Sequence, residues 1–213
     1  MGKWVIFDMD GVIVDSEYVF LSTKTNMLLD RGIDTNETYQ YQFMGTTFND
    51  MWRVMKEECQ LSDSVEELIA EMSDRREEII ARDGIRAIKG IKELLNYLVD
   101  LGYQLAVASS SPKADIDHNL LELGLSQYFA VTASGEEVAH SKPAPDVFLK
   151  VAELLGATPE ETFVFEDTKN GSLAAKAAGM ICLGFVNPDY PKQDMTACDY
   201  VFEKFEDSYC FFR

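Results

Sequence analysis

The chain has 213 residues, of which 46% are hydrophobic and 26% charged, and it carries a net charge of −18. That length and balance support one large domain, or one domain with a smaller insert, around a core that needs no disulfide or metal staple. The acidic surplus argues against nucleic acid, whose phosphates require a basic surface, and against an anionic membrane face.

An anionic small substrate would therefore need a local cluster of cations, or a metal, to overcome the overall field. The apolar stretches are too short to span a bilayer, and no charged-then-apolar leader precedes the first strand. A soluble, cytoplasmic monomer is the expectation. Cys59, Cys182, Cys198 and Cys210 show no C-x-x-C spacing and no pairing with the two histidines. They read as reduced thiols rather than as a zinc site or a disulfide framework.

Along the chain, Trp4–Phe7 is a short apolar run that ends abruptly in acids: "FDMDGVIVDSE" holds Asp8 and Asp10 with only Met9 between them. Residues 16 to 83 then lack a convincing strand and show helical stretches, including 50–59 and 65–81. A helical block after the first strand reads as an inserted domain, with core segments 1–15 and 84–213 on either side. Its hinges are expected near 14–16 and 82–87.

After the insert, Ile91, Leu94, Leu95, Leu98 and Leu101 follow helical spacing up to Gly102. Strands are expected at 103–108, 162–165 and 180–185. Pro145 opens a helix bearing Phe148, Val151, Leu154 and Leu155 that Gly156 ends, and a small-residue helix is expected over 174–178. Short buried strands alternating with helices predict an α/β fold with a parallel sheet flanked by helices, Rossmann-like, plus the inserted α-helical domain.

Ligands of open α/β sheets bind beyond the carboxyl ends of the strands. Asp8 and Asp10 follow the first strand, Ser109-Ser110-Ser111 end the second, and Glu166-Asp167 end the third. Lys142 lies between the last two in "HSKPAPD". Four carboxylates gathered at one edge would repel one another unless an oxygen-loving divalent cation joined them. Mg2+ takes one or two carboxylates, waters and a phosphate oxygen, which points to phosphoryl chemistry.

These stretches resemble the motifs of the haloacid dehalogenase superfamily. "DMDGVIVDSE" is similar to its D-x-D-G-x-[VIT] motif, and "VASSS", "SKPAPD" and "FEDTKNG" follow in the family's order. The helical insert looks like the cap domain of the β-phosphoglucomutase-like phosphatase branch. The resemblance implies a magnesium-dependent phosphatase acting on a small phosphorylated metabolite, such as a sugar phosphate, through an aspartyl-phosphate.

It further implies Asp8 as nucleophile, Asp10 as acid and base, and Lys142 as charge neutraliser. Ser109, Ser110 and Lys142 would bind phosphate, and Asp8, Asp10, Glu166 and Asp167 would bind the metal. Thr46, Thr47 and Arg75 are the insert's candidate substrate contacts. The alternative is a hexose-phosphate mutase, but that branch has a histidine shortly after the first motif and an arginine after a cap glycine. This chain has "DSEYVF" and "MGTTFND" instead. A more distant alternative is a non-catalytic phosphate-binding or phospho-accepting signalling protein.

Overall fold

A computed structural model describes residues 2–43 and 48–212. The chain divides into two compact units, one of residues 1–15 and 85–213, the other of residues 16–84.

The first unit is a six-stranded parallel sheet in the order β3-β2-β1-β4-β5-β6. Its strands are β1 (Trp4–Phe7), β2 (Gln104–Ser109), β3 (Phe129–Ser134), β4 (Thr162–Glu166), β5 (Ile181–Phe185) and β6 (Tyr200–Phe202). β1 is central, and Phe7 is in register with Val107 of β2 and Phe165 of β4. Strand alternation sends Val5 and Phe7 to one face and Ile6 to the other.

On the first face, Phe7 stacks on Phe165 with centroids 4.8 Å apart. The helices α5 (Ile91–Asp100) and α6 (Lys113–Glu122) cover this face with Ile91, Leu94, Leu95, Leu98, Ile116 and Leu120. The opposite face is built of small residues, Ala106, Ala108 and Ala133. That lets α7 (Asp146–Leu155) and α8 (Lys169–Ala177) pack closely through Val147, Phe148, Val151, Ala174 and Ala175. Gly156 ends α7 in the left-handed conformation at φ 64°, as its place after the apolar stripe predicts.

The second unit is helical: α1 (Glu17–Asp30), α2 (Glu37–Gln40), α3 (Phe48–Cys59) and α4 (Val65–Asp83). Met27, Leu28, Trp52, Met55, Leu68 and Met72 fill its core. Ser64 starts α4 with a capping box: its Oγ accepts from the Glu67 amide, and the Glu67 carboxylate accepts from the Ser64 amide. Arg31 closes the end of α1 onto α4 by pairing with Asp63 and Glu71.

Two strands escape the sequence pattern. β3 reads Phe-Ala-Val-Thr-Ala-Ser and mixes buried with half-exposed positions, so it presents neither a continuous apolar run nor a clean alternation. β6 is a three-residue edge strand in which Tyr200 and Val201 are about half exposed. The small-residue helix also begins earlier than its apolar face suggests, at Lys169, because the Thr168 side chain caps it by accepting from the Gly171 amide.

Candidate active site

The carboxyl ends of β1, β2 and β4 meet at one edge of the sheet. The Asp8 amide still donates to the Phe165 carbonyl at 2.9 Å, which fixes the Asp8 backbone at the level of β4. Beyond it the chain turns tightly, with the amides of Ile13 and Val14 both donating to the Met9 carbonyl. Met9 is buried at 1% exposure, so the side chain between the two aspartates anchors their loop in the core.

Gly11 lets this loop close up. Its φ is +78°, and a Cβ there would lie 1.9 Å from Asp167 Oδ2. Only glycine allows both the backbone conformation and the approach of the Asp167 carboxylate.

Lys142 is the centre of the arrangement. Its Nζ donates to Asp8 Oδ1 at 2.6 Å, to Glu166 Oε1 at 2.7 Å and to the Ala108 carbonyl at 3.2 Å. It also lies 4.7 Å from the centroid of the Phe148 ring. The peptide bond from Lys142 to Pro143 is cis.

Burial pushes the Asp8 carboxyl up to about 7; Lys142 opposes this, while Glu166 and Asp10 add to it. Burial pulls the Lys142 ammonium down, but Asp8 and Glu166 outweigh it and hold the group above the ordinary lysine value. Two carboxylates, Asp8 and Glu166, thus share one ammonium, and Asp10 is near enough to act on Asp8.

Asp10 Oδ2 accepts from Ser111 Oγ at 2.6 Å. The serine turn after β2 is braced internally, with the Ser111 amide donating to Ser109 Oγ at 3.0 Å. Ser134 Oγ donates to the Ser111 carbonyl at 2.7 Å. Ser134 is the register partner of Ser109 in β3, so the neighbouring strand supports the turn. Ser109 is buried and Ser110 exposed.

Glu166, expected as a metal ligand, has both carboxylate oxygens engaged within the chain. Oε1 is held by Lys142, and Oε2 accepts from the amides of Asp167 and Thr168 and from Thr168 Oγ1 at 2.9 to 3.0 Å. With both oxygens engaged inside the chain, Glu166 orients Lys142 and anchors the start of α8. Gly171 makes room for it, since a Cβ there would lie 1.6 Å from Glu166 Oε1.

Among the described residues no three His, Cys, Asp or Glu side chains form a ready-made metal cage. The donors left for a cation are the oxygens of Asp8, Asp10 and Asp167. An all-oxygen set with few carboxylates and an unbalanced negative charge fits Mg2+, which keeps several of its waters.

Of the insert's candidates, Thr46 and Thr47 lie outside the described residues. Arg75 is engaged within the helical unit, where it donates to Asp30 Oδ2 and pairs with Glu71 Oε1, each at 2.6 Å. The neighbouring Arg76 guanidinium lies over the Phe20 ring at 3.8 Å.

Sequence reasoning overlooked Ser134, Thr168, Gly11 and Gly171 as parts of the site, and it gave Ser111 no role. Ser111 was visible as the third hydroxyl of its run. Thr168 was visible as a capping residue following the acidic pair. Ser134 had no signal, because its strand carries no clear pattern.

Residues 5–185 match the family of haloacid dehalogenase-like hydrolases. The chain is 31% identical over 176 residues to the phosphorylated carbohydrates phosphatase of Thermotoga maritima, covering 83% of this chain and 81% of that one. It is 31% identical over 188 residues to the fructose-1-phosphate phosphatase of Escherichia coli, covering 83% and 92%. The crystal structure of a haloacid dehalogenase family hydrolase from Deinococcus radiodurans, with bound phosphate and sodium, superposes with a TM-score of 0.84 at 25% identity. That match covers 99% of this chain and 94% of the other. With its parallel sheet, its lysine-bridged carboxylates and these relatives, the chain belongs to the haloacid dehalogenase-like hydrolases and is a phosphoric monoester hydrolase of that family.

Proposed function

We propose that this protein is a magnesium-dependent phosphatase that hydrolyses a small phosphorylated metabolite, a sugar phosphate in the first instance, through an aspartyl-phosphate on Asp8. The observation that carries this reading is the buried Lys142 ammonium bridging Asp8 and Glu166 at the carboxyl end of the central strand. It fixes one carboxylate oxygen of Asp8 and leaves the residue at the mouth of the sheet, where a phosphoryl group would enter.

The chain's residues divide the work as follows. The Asp8 carboxylate attacks phosphorus, and the bond from phosphorus to the ester oxygen breaks. Asp10 protonates the departing alkoxide, then takes the proton of the water that attacks the aspartyl-phosphate, so that inorganic phosphate leaves and Asp8 is restored. Ser111 holds the Asp10 carboxylate in place through its hydroxyl.

Lys142 offsets the charge that builds on the transferring group. Ser109 and the Ser110 amide hold non-bridging oxygens at the head of the turn before α6. Mg2+, bound by Asp8, Asp10 and Asp167, would supply charge neutralisation for the phosphoryl oxygens. The helical unit serves as a cap that selects the substrate and excludes water. Its interruption of the core directly after Asp15 supports this assignment. No helix among the described residues is long and apolar enough to cross a membrane, and a cytoplasmic location accords with a metabolite substrate.

The test is a panel of phosphorylated sugars and small metabolites assayed for phosphate release with magnesium and with chelator. Release that needs magnesium and is lost in Asp8→Asn supports the reading. Isomerisation of β-glucose 1-phosphate outpacing phosphate release would replace it with the mutase alternative.

A further inference from the structure

A pair of free thiols lies in the same unit and takes no part in the chemistry above. Cys182 is fully buried in β5, and Cys198, in the segment leading into β6, is half-buried. Their sulfurs are 3.4 Å apart, within thiol–thiol hydrogen-bonding distance.

The two backbones are held beside each other by Asp199. Its amide donates to the Cys182 carbonyl at 2.9 Å, and its carboxylate accepts from the Cys182 amide at 2.7 Å. Lys176 also holds that carboxylate, at 2.7 and 2.8 Å from its two oxygens. Gly184 leaves the space that the Cys198 sulfur occupies, since a Cβ there would lie 2.8 Å from it. Sulfurs approximated in this way, one buried and one nearer solvent, match the layout of an attacking and a resolving thiol.

We propose that Cys182 and Cys198 form a reversible dithiol–disulfide site whose oxidant is a hydroperoxide. The Cys198 thiolate attacks one peroxide oxygen, the O–O bond breaks, and the leaving oxygen departs as water or alcohol with the thiol's proton. This leaves a sulfenic acid on Cys198. The Cys182 sulfur then attacks the Cys198 sulfur, the S–O bond breaks, and the hydroxyl leaves as water with the Cys182 proton.

The two thiols together lose two electrons, which reduce the peroxide. A small-molecule dithiol reverses the step. The contact between the two sulfurs holds the Cys198 thiol below the ordinary cysteine value and raises Cys182, which agrees with these roles. The bond would fasten the segment between β5 and β6 to the sheet, independently of what the carboxylate cluster hydrolyses.

The experiment treats the whole native protein with hydrogen peroxide, quenches it by alkylation and maps its peptides by mass spectrometry without reduction. The expected result is a linked pair of peptides carrying Cys182 and Cys198, two hydrogens lighter than their sum and separated by dithiothreitol. The link should persist in Cys59→Ser and Cys210→Ser and vanish in Cys198→Ser. In untreated protein, iodoacetamide should label Cys198 at least about tenfold faster than Cys182. Unlinked peptides in oxidised protein that keeps its circular dichroism, whether as free thiols or as separate sulfinic acids, would overturn the proposal. Because the linked pair is sought in the unsubstituted chain, the test stands even where a variant fails to fold.

Discussion

The Lys142 ammonium lies 2.6 Å from Asp8 Oδ1, and the two side chains are only 6% and 9% exposed. A buried ion pair of this kind is a weak source of net stability, because desolvation offsets most of its attraction, yet breaking one side leaves an uncompensated charge. Here Lys142 is shared with Glu166, so its removal strands two carboxylates at once.

Lys142→Met should therefore lose about 3–5 kcal/mol of stability at pH 8, measured by urea unfolding. It should also lose about 10²–10³ in kcat for phosphate release. Lys142→Arg should not restore activity, because a planar guanidinium cannot reproduce a point contact shared among Asp8, Glu166 and the Ala108 carbonyl. Near-native kcat in the arginine variant would count against a positioned ammonium.

The raised Asp8 carboxyl gives a pH dependence of definite sign. Its pKa goes from the ordinary 3.8 to about 7 on folding, so the folded chain binds this proton more tightly than the unfolded one. The stability this contributes is complete below the unfolded value and is lost as pH rises toward 7. In chelator, the melting temperature of Asp8→Asn minus that of the parent should thus grow between pH 4 and pH 7.5, by about 3 °C or more for a chain of this size. Added magnesium should reverse the trend by favouring the ionised carboxylate. A flat difference across that range would show that burial does not raise Asp8.

Gly171→Ala tests how Glu166 holds the lysine. The added methyl group would meet the Glu166 carboxylate, so either Glu166 or the start of α8 must shift. The expected cost is about 1–3 kcal/mol, together with a fall in kcat as Lys142 loses its support. Unchanged stability and activity would mean that Glu166 has freedom the geometry does not suggest.

Ser111→Ala should lower kcat by about tenfold while leaving KM within about twofold, the pattern of a residue that positions a catalytic group rather than binding substrate. Ser111→Thr, which keeps the hydroxyl, should recover most of the loss. A KM effect in both variants would instead place Ser111 on the substrate.

The parts of this protein that were legible in its sequence are those where local chemistry and position agree. The apolar run Trp4–Phe7 ending at Asp8 and Asp10 marked the central strand and its outlet. The stripe from Phe148 to Leu155, closed by Gly156, marked a helix packed on the sheet. β3 and β6 were not legible, because an edge position relaxes the burial that writes a strand into sequence.

The site behaved the same way. Asp8, Asp10, Ser109, Lys142 and the Glu166-Asp167 pair stand out by type and order. The hydrogen bonds that tie the Glu166 oxygens to Lys142 and to residues 167–168, however, are encoded by no spacing. Arg75 illustrates the reverse case: a cation suited to a substrate is engaged by Asp30 and Glu71 of its own unit. The Cys182–Cys198 contact, sixteen residues apart in sequence, arises from the pairing of β5 with β6 and from the Asp199 bonds beside it, which no local pattern announces.

Whether Asp8 carries the phosphoryl group is tested most directly by rapid acid quench during turnover of a sugar phosphate with magnesium, followed by peptide mass spectrometry. The expected species is a transient peptide spanning Asp8 that is heavier by one phosphoryl group. It should be absent in Asp8→Asn and should accumulate when Asp10→Asn slows the attack of water. Steady phosphate release with no phosphorylated Asp8 peptide at any quench time, or turnover retained in Asp8→Asn, would contradict a covalent role for Asp8.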